Sequence, residues 1–503
     1  MTDDTHDQLL IELARREARA DEGGGRARLA RLTRLGRLGA RERLAALVDA
    51  GSFVELGRHV MHRHAASSEQ LAANVHPGDG VVCGLAAIEG RGVAVYAHDP
   101  TVLRGALGIA ASKKICKLLD LAGEQRLPVI TLADSDGVRV DEGTDAIDAY
   151  GEIIRRTVRL KGKVPQLTLV CGLCVGAAAY NAALTDLVAM VGAHGFMFIT
   201  GAKVTKVVTC EDADITELGG AEMHATKTGA CHAIVADERE GIAWLKRVLS
   251  YVGHAGARVA SDDPTTREVP ELATLVPTAA RRAYDMRKVV TAIFDRAMCT
   301  ELSPKFAPNL LTFLARLGGR AVAVVASQPM TLAGCLDVDA SRKGAAFVTW
   351  ASSMRLPIVT LVDVPGYLPG TKQEQAGILP HGAALLTAYA SAKVPMVCLV
   401  VRKSFGGASV LSFASDVRLA LTTARIAPMG ADAAVEVALG PVLDDESEES
   451  QRAREARRAD WLAQHDHAWA SAEAGYIDQV IRPADARRVL AQTVERLAEG
   501  THV

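Results

Sequence analysis

Gly90-Arg91-Gly92-Val93-Ala94-Val95 returns 229 positions later as Gly319-Arg320-Ala321-Val322-Ala323-Val324. At the same interval Arg126-Leu127-Pro128-Val129-Ile130-Thr131-Leu132-Ala133-Asp134 returns as Arg355-Leu356-Pro357-Ile358-Val359-Thr360-Leu361-Val362-Asp363. Between these ends Pro100, Gly105, Ser112 and Lys114 fall on Pro329, Gly334, Ser341 and Lys343. Further on, Lys163-Val164-Pro165 and Gly176 meet Lys393-Val394-Pro395 and Gly406 with a drift of a single residue. An interval this long lies far beyond the roughly 20–50 residues of solenoid repeats. It marks two whole domains of one fold, and two related domains can carry two related sites.

The 503 residues are too many for one core at roughly 100–200 residues per domain, and enough for two large ones. The chain is 49% hydrophobic but only 4% aromatic, with 44 glycines, so its interior is built from small and branched side chains at close backbone approach. A net charge of −2 gives no general electrostatic reason to bind nucleic acid or an anionic membrane. Met1-Thr2-Asp3-Asp4 lacks a basic leader, and no run reaches the roughly 20 apolar residues of a membrane span. A soluble, cytoplasmic protein is expected. Cys171-Gly172-Leu173-Cys174 has the spacing of half a zinc ribbon, but no second such pair exists and an apolar run precedes it, so buried thiols and no metal are expected.

Residues 1–50 are arginine-rich, with leucines near helical spacing in Leu29-Ala30-Arg31-Leu32-Thr33-Arg34-Leu35, which predicts a basic-faced amphipathic helix. From Gly78 onward, short apolar runs bounded by glycine or proline alternate with longer charged stretches such as residues 112–125, the pattern of β/α units around a mainly parallel sheet. Residues 255–278 read as a polar linker, and residues 444–464 as a solvated charged helix. The domains are set at 1–262 and 263–503.

Ligands in such sheets bind beyond the strand carboxyl ends. Four glycine-bearing stretches fall there: Asp134-Ser135-Asp136-Gly137-Val138-Arg139, Gly172 to Tyr180, Asp363-Val364-Pro365-Gly366-Tyr367-Leu368-Pro369-Gly370-Thr371, and Arg402-Lys403-Ser404-Phe405-Gly406-Gly407-Ala408-Ser409. A strand followed by glycine and a helix start leaves unpaired backbone N–H groups with a favourable dipole behind them, and two such loops can hold an oxyanion. The fourteen histidines are scattered and none is nominated.

At this point the sequence resembles the β subunits of biotin-dependent acyl-CoA carboxylases, the acetyl- and propionyl-CoA carboxyltransferase family. The resemblance is carried by Ala40-Arg41-Glu42-Arg43, Gly51-Ser52-Phe53-Val54-Glu55, Gly78-Asp79-Gly80-Val81-Val82, Phe196-Met197-Phe198-Ile199-Thr200-Gly201 and Glu217-Leu218-Gly219-Gly220-Ala221. In the second half it is carried by Gln328-Pro329, Ala333-Gly334-Cys335-Leu336-Asp337 and the loops at 364–371 and 402–408. It implies an α/β fold of two tandem crotonase-like (ClpP/crotonase) domains. It also implies transfer of CO₂ from carboxybiotin, carried on a biotin carboxylase and carrier (alpha) partner subunit, to the α-carbon of a short acyl-CoA. A homo-oligomer is implied too, a hexameric dimer of trimers with sites shared between subunits.

Such a transfer develops negative charge on the thioester oxygen and on the ureido oxygen of biotin, and so asks for two sets of preorganised N–H donors. By position in the motifs, the resemblance assigns Val138, Gly176 and Ala177 to the acyl-CoA oxygen. It assigns Gly366, Tyr367, Gly407 and Ala408 to biotin, with Gly137 and Gly406 also counted as substrate- or biotin-binding; Val410, just after the second turn, is expected to line the acyl pocket. Asp136 departs from the family pattern by adding a carboxylate beside a site for negative charge, as do Ala177 in place of a glycine and Pro380 after the second loop. Two alternatives stay open: a decarboxylase subunit of the same family, or a non-catalytic assembly subunit.

Overall fold

The computed structural model describes residues 5–61, 76–252, 258–279, 282–439 and 447–499. They form two compact units, Met1–Gly253 and His254–Val503. Unit 1 holds β1 (Val54–Glu55), β2 (Val81–Ile88), β3 (Arg91–His98), β4 (Val129–Ser135), β5 (Gln166–Val175), β6 (Leu187–Val191), β7 (Phe196–Phe198) and β8 (Ala233–Val235). Unit 2 holds β9 (Cys299–Leu302), β10 (Leu310–Leu317), β11 (Arg320–Ser327), β12 (Ile358–Val364), β13 (Met396–Phe405), β14 (Val417–Leu421), β15 (Arg425–Ala427) and β16 (Gln479–Ile481). Helices used below are α1 (His6–Asp21), α2 (Arg26–Arg34), α3 (Ala40–Leu47), α4 (Ile109–Gln125), α5 (Ala177–Leu184), α6 (Ala202–Thr209), α7 (Glu238–Tyr251), α8 (Val338–Ser353), α9 (Ile378–Ala390) and α10 (Val410–Phe413).

The duplication extends to register. Each sheet starts from an antiparallel hairpin, β2–β3 or β10–β11, whose two-residue turn has φ > 0 at both positions: Glu89 and Gly90, then Gly318 and Gly319. That is the turn whose twist suits a tight hairpin. The turn amides are held by one carboxylate each time, Asp49 at 2.9 and 2.8 Å and Asp295 at 2.8 and 2.7 Å. The chain then crosses over through a helix to add parallel strands, in the spatial order β3-β4-β5-β6-β8 and β11-β12-β13-β14-β16. Ala94 stands opposite Val129 as Ala323 stands opposite Ile358. Every residue of β4 and β12 is buried, as expected of parallel strands covered on both faces.

The first crossover in each unit begins with three consecutive left-handed residues, Leu103, Arg104 and Gly105, and again Leu332, Ala333 and Gly334. The third must be glycine, because a Cβ on Gly334 would stand 2.5 Å from the Asp363 carbonyl oxygen and one on Gly105 would run into that of Asp134. Lys114 of α4 and Lys343 of α8 are both buried, with their ammonium groups on backbone carbonyls of the preceding loop: Gly78 and Val81 in one case, Ser303 and Phe306 in the other.

Two expectations change. The described part of the segment expected to be one amphipathic helix, residues 5–50, holds the separate helices α1, α2 and α3, and Leu32, Leu44 and Leu47 are buried; residues 1–4 lie outside the described residues. The stretch expected to be a linker is tied down in its described part: Val269 and Leu272 have no exposure and belong to the unit 2 core, with the Val269 N–H on the Ala484 carbonyl, and residues 255–257 lie outside the described residues. Its polar residues mislead because Asp263 is bound to Arg267, not to solvent. The charged run is the helix Glu448–His465, and residues 444–446 lie outside the described residues. Cys171 and Cys174 are buried in β5.

Candidate active site

In unit 1, β4 and β5 run in parallel register until it slips between Ala133 and Ser135. Such an irregularity bends a strand end, and residues 136–139 leave the sheet there. Leu107 then pairs with Val138: the Leu107 N–H donates to the Gly137 carbonyl at 2.8 Å and the Arg139 N–H donates to the Leu107 carbonyl at 2.9 Å. The intervening Val138 N–H therefore points away from that partner. β5 ends at Gly176, whose φ of 58° starts α5 without a side-chain cap. The first intrahelical bond runs from the Tyr180 N–H to the Gly176 carbonyl at 3.1 Å, so Ala177 opens the helix with its N–H outside the helical ladder. A Cβ placed on Gly137 would stand 2.5 Å from the Val175 oxygen and 3.9 Å from the Ala177 nitrogen. The two loops are thus adjoining, with the positive end of α5 behind them.

Unit 2 repeats each step. The register slips between Val362 and Val364, and Leu336 pairs with Tyr367 through bonds of 3.1 Å to the Gly366 carbonyl and 2.8 Å from the Leu368 N–H. The Tyr367 N–H therefore faces away, as that of Val138 does. Gly406, at φ 61°, opens the 3₁₀ turn Gly406–Ser409 that leads into α10. Bonds in such a turn reach three residues back, so the Ala408 N–H is directed inward while Gly407 remains the exposed donor. The Tyr367 ring lies between Gly407, where a Cβ would meet it at 3.9 Å, and Gly382 of α9, where a Cβ would meet it at 3.3 Å. Its hydroxyl is buried without a hydrogen-bond partner among the described residues, and burial pushes its pKa up.

Behind each loop sits a buried aspartate. Asp134 pairs with Arg37 and Arg43, and Asp363 pairs with Arg402. Their backbone N–H groups are received by matching positions, His98 Nδ1 at 3.4 Å and Ser327 Oγ at 3.2 Å. Burial pushes the His98 imidazole down to about 4 from an ordinary 6.5. The unfolded chain thus takes up a proton near pH 6.5 that the folded one refuses until about pH 4. This contribution is complete above pH 6.5 and declines as pH falls toward 4, by about 3 kcal/mol in all. In His98→Gln, denaturant midpoints should change less between pH 6.5 and 4; an unchanged acid limb would remove His98 as its source.

Asp136 is met by Arg104, which pairs with its carboxylate and whose carbonyl accepts the Asp136 N–H at 3.1 Å. Burial raises the Asp136 pKa and Arg104 opposes the rise. The equivalent residues in unit 2 are Ala333 and Pro365, so the pair belongs to unit 1 alone.

The structure brings Gly137, Val138, Gly176 and Ala177 together, and likewise Gly366, Tyr367, Gly406 and Gly407. Two donors in the expected set are otherwise engaged. The Gly176 N–H donates to the Phe198 carbonyl at 3.0 Å, and Ala408 is fully buried. Val410, nine-tenths buried, is the first residue of α10. Pro380 sits in the first turn of α9, where its missing N–H costs nothing. Sequence reasoning assigned no role to Arg37, Arg43, Asp134, Asp363 or Arg402. The available signal was that Gly172 falls where the repeat has Arg402.

A model of the carboxyl transferase domain matches residues 33–502. The propionyl-CoA carboxylase beta chain of Roseobacter denitrificans is 39% identical over 498 residues, covering 97% of this chain and 96% of that one. That of Saccharopolyspora erythraea is 40% identical over 510 residues, covering 97% and 93%. Among solved structures, the transcarboxylase 12S hexamer assembly with methylmalonyl-coenzyme A and methylmalonic acid bound is similar with a TM-score of 0.93 at 36% identity, covering 99% of this chain and 97% of that one. A single-chain, multi-domain long-chain acyl-CoA carboxylase gives 0.85 at 29% identity, covering 97% and 49%.

Proposed function

This chain belongs to the carboxyl transferase family and is a carboxyltransferase, and on that premise we propose that it moves CO₂ between carboxybiotin, carried on a partner subunit, and the α-carbon of a short acyl-CoA. The observation that carries the reading is the duplicated pair of outward N–H groups, Val138 with Ala177 and Tyr367 with Gly407, each at the same register position of its sheet.

The first pair holds the thioester oxygen as it gains charge, and the second holds the ureido oxygen. Each donor lost from such a hole costs about 2.7–4 kcal/mol of barrier. Carboxybiotin brings the CO₂ and, after release, the base for the α-proton, a task for which the two loops hold no histidine. The second hole fits a flat ureido ring: a Cβ on Gly366 would meet nothing within 4 Å, and Gly407 is exposed. Arg104 offsets the charge of Asp136 beside the first hole. Intact donors in both units favour a working enzyme over an assembly subunit. Transfer in either direction uses the same holes.

The chain acts as a homo-oligomer, a hexamer in this reading, in which sites are shared between subunits. In support, α6 and the segment just before it expose Ile199, Val204, Val207 and Val208, and no residue of α6 is buried. Among the described residues no helix is long and apolar enough to cross a membrane, and a cytoplasmic location is proposed.

The test needs no partner. The purified chain should transfer the carboxyl group of malonyl-, methylmalonyl- or ethylmalonyl-CoA to free biotin, and failure with all three would end the proposal. Val410 is proposed to line the acyl pocket, and each buried methylene is worth about 0.8 kcal/mol, roughly fourfold. Val410→Asp should therefore shift kcat/KM toward the shortest acyl group by about fourfold per carbon. Unchanged ratios in a folded variant would take Val410 out of the pocket.

A further inference from the structure

The two aspartates behind the loops are equivalent, but their arginines are not. Asp363 receives Arg402 Nε at 3.0 Å and the Lys403 N–H at 3.1 Å. Arg402 is a residue of the neighbouring strand β13, its guanidinium 4.9 Å from the centre of the Tyr284 ring. In β5 the matching residue is Gly172, so the strand supplies no arginine to Asp134. The space is nonetheless filled. A Cβ on Gly172 would run into both the Asp134 carboxylate and the Arg37 guanidinium. Arg37 reaches in from the segment between α2 and α3, is 16% exposed at its side chain, and pairs with Asp134. Its neighbours fasten that segment: the Leu38 N–H donates to Glu238 of α7 at 2.8 Å, and fully buried Arg43 bridges Asp134 at 2.8 Å and Glu238 at 2.7 Å.

We propose that Arg37 is a positioning residue for the loop at 136–139, doing for Asp134 from the N-terminal segment what Arg402 does for Asp363 from within the sheet. The role of residues 34–43 is then to complete the first half-site, and the absence of a side chain at position 172 is the condition for it. The catalytic part of this inference rests on the reading of that loop as the acyl-side hole.

The test is a transplant. In Arg37→Ala, deuterium exchange of the amides that hold the loop should quicken; these are Asp136 on Arg104, Gly137 on Ser135 and Arg139 on Leu107. Turnover should fall by about tenfold or more, mainly in kcat, as a misplaced catalytic loop predicts. Adding Gly172→Arg, with the Asp134 carboxylate turned to make room for the new Cβ and to receive the guanidinium as Asp363 receives Arg402, should restore both. Unchanged exchange in Arg37→Ala, or a folded double variant that restores neither property, overturns the proposal. Should Arg37→Ala fail to fold, Arg37→Gln, which keeps bulk and removes the charge, decides alone: quicker exchange of the three amides with a lowered kcat supports the proposal, and exchange and kcat unchanged from the parent chain overturn it. If protection from exchange is lost and restored while kcat stays constant, the anchoring stands and the acyl-side reading of the loop falls.

Discussion

Gly407→Pro is expected to lower carboxyl transfer by about 10²–10³-fold while leaving a folded protein, the loss typical of one missing oxyanion donor. Gly407 stands in the first turn of the 3₁₀ segment, where an N–H has no helical acceptor and proline is tolerated. The substitution therefore removes the donor and little else: a Cβ at this position would meet the Tyr367 ring at an ordinary 3.9 Å. Gly407→Ala is the control, since it adds the same first carbon and keeps the N–H, so it should retain most activity. Normal transfer to biotin by soluble Gly407→Pro would dissociate this loop from the chemistry. Equal loss in Gly407→Ala would point to crowding in place of a lost donor.

Ala177→Pro is expected to be equally inactive, by the same argument at the first residue of α5. Mixing it with Gly407→Pro yields the larger result. If a working site takes its acyl half from one subunit and its biotin half from another, a mixed dimer contains one doubly defective site and one intact site. Random reassociation of the two inactive variants should then recover about a quarter of the original activity, because half of the dimers are mixed and half of their sites are whole. If both halves came from one chain, every site would carry a defect and nothing would return. Assay of the remixed proteins after mild dissociation separates the two outcomes.

The backbone of this site was legible in the sequence because glycine and proline are chosen by conformation. Gly105 and Gly334 are required by close approach to a neighbouring strand, Gly176 and Gly406 by their left-handed φ, and the repeat supplied their equivalence. What could not be read is which N–H groups are already engaged. Gly176 loses its donor to Phe198, a residue of β7, and that pairing depends on strand order, not on local pattern. The arginine anchors were hidden for a related reason. Arg37 sits in a run of arginines that looks solvated, and only the fold reveals the space at Gly172 that admits it. The linker reading failed likewise, since Asp263 and Arg267 are paired with each other and Val269, Leu272 and Val276 are buried in the unit 2 core, while the exposed polar residues around them carry the pattern of a linker.

The different origins of the two arginine anchors bear on the order in which the chain acquires its structure. Arg402 and Asp363 are 39 residues apart, whereas Arg37 must meet Asp134 across 97 residues and Arg43 must meet Glu238 across 195. Closing longer loops costs more chain entropy before any contact compensates, and folding slows as contacts become less local. The two anchors therefore close at different stages: the Asp134 cluster stays open until α7 has docked, whereas Arg402 can meet Asp363 as soon as β12 and β13 pair, although unit 2 has a distant contact of its own where Arg487 meets Asp295 across 192 residues. Trp244, on α7 itself, reports that last closure, and the tryptophans at 350, 461 and 469 report unit 2. Refolding followed at Trp244 should lag behind that at Trp350 on α8, and simultaneous recovery would show that the distant anchor does not set the pace.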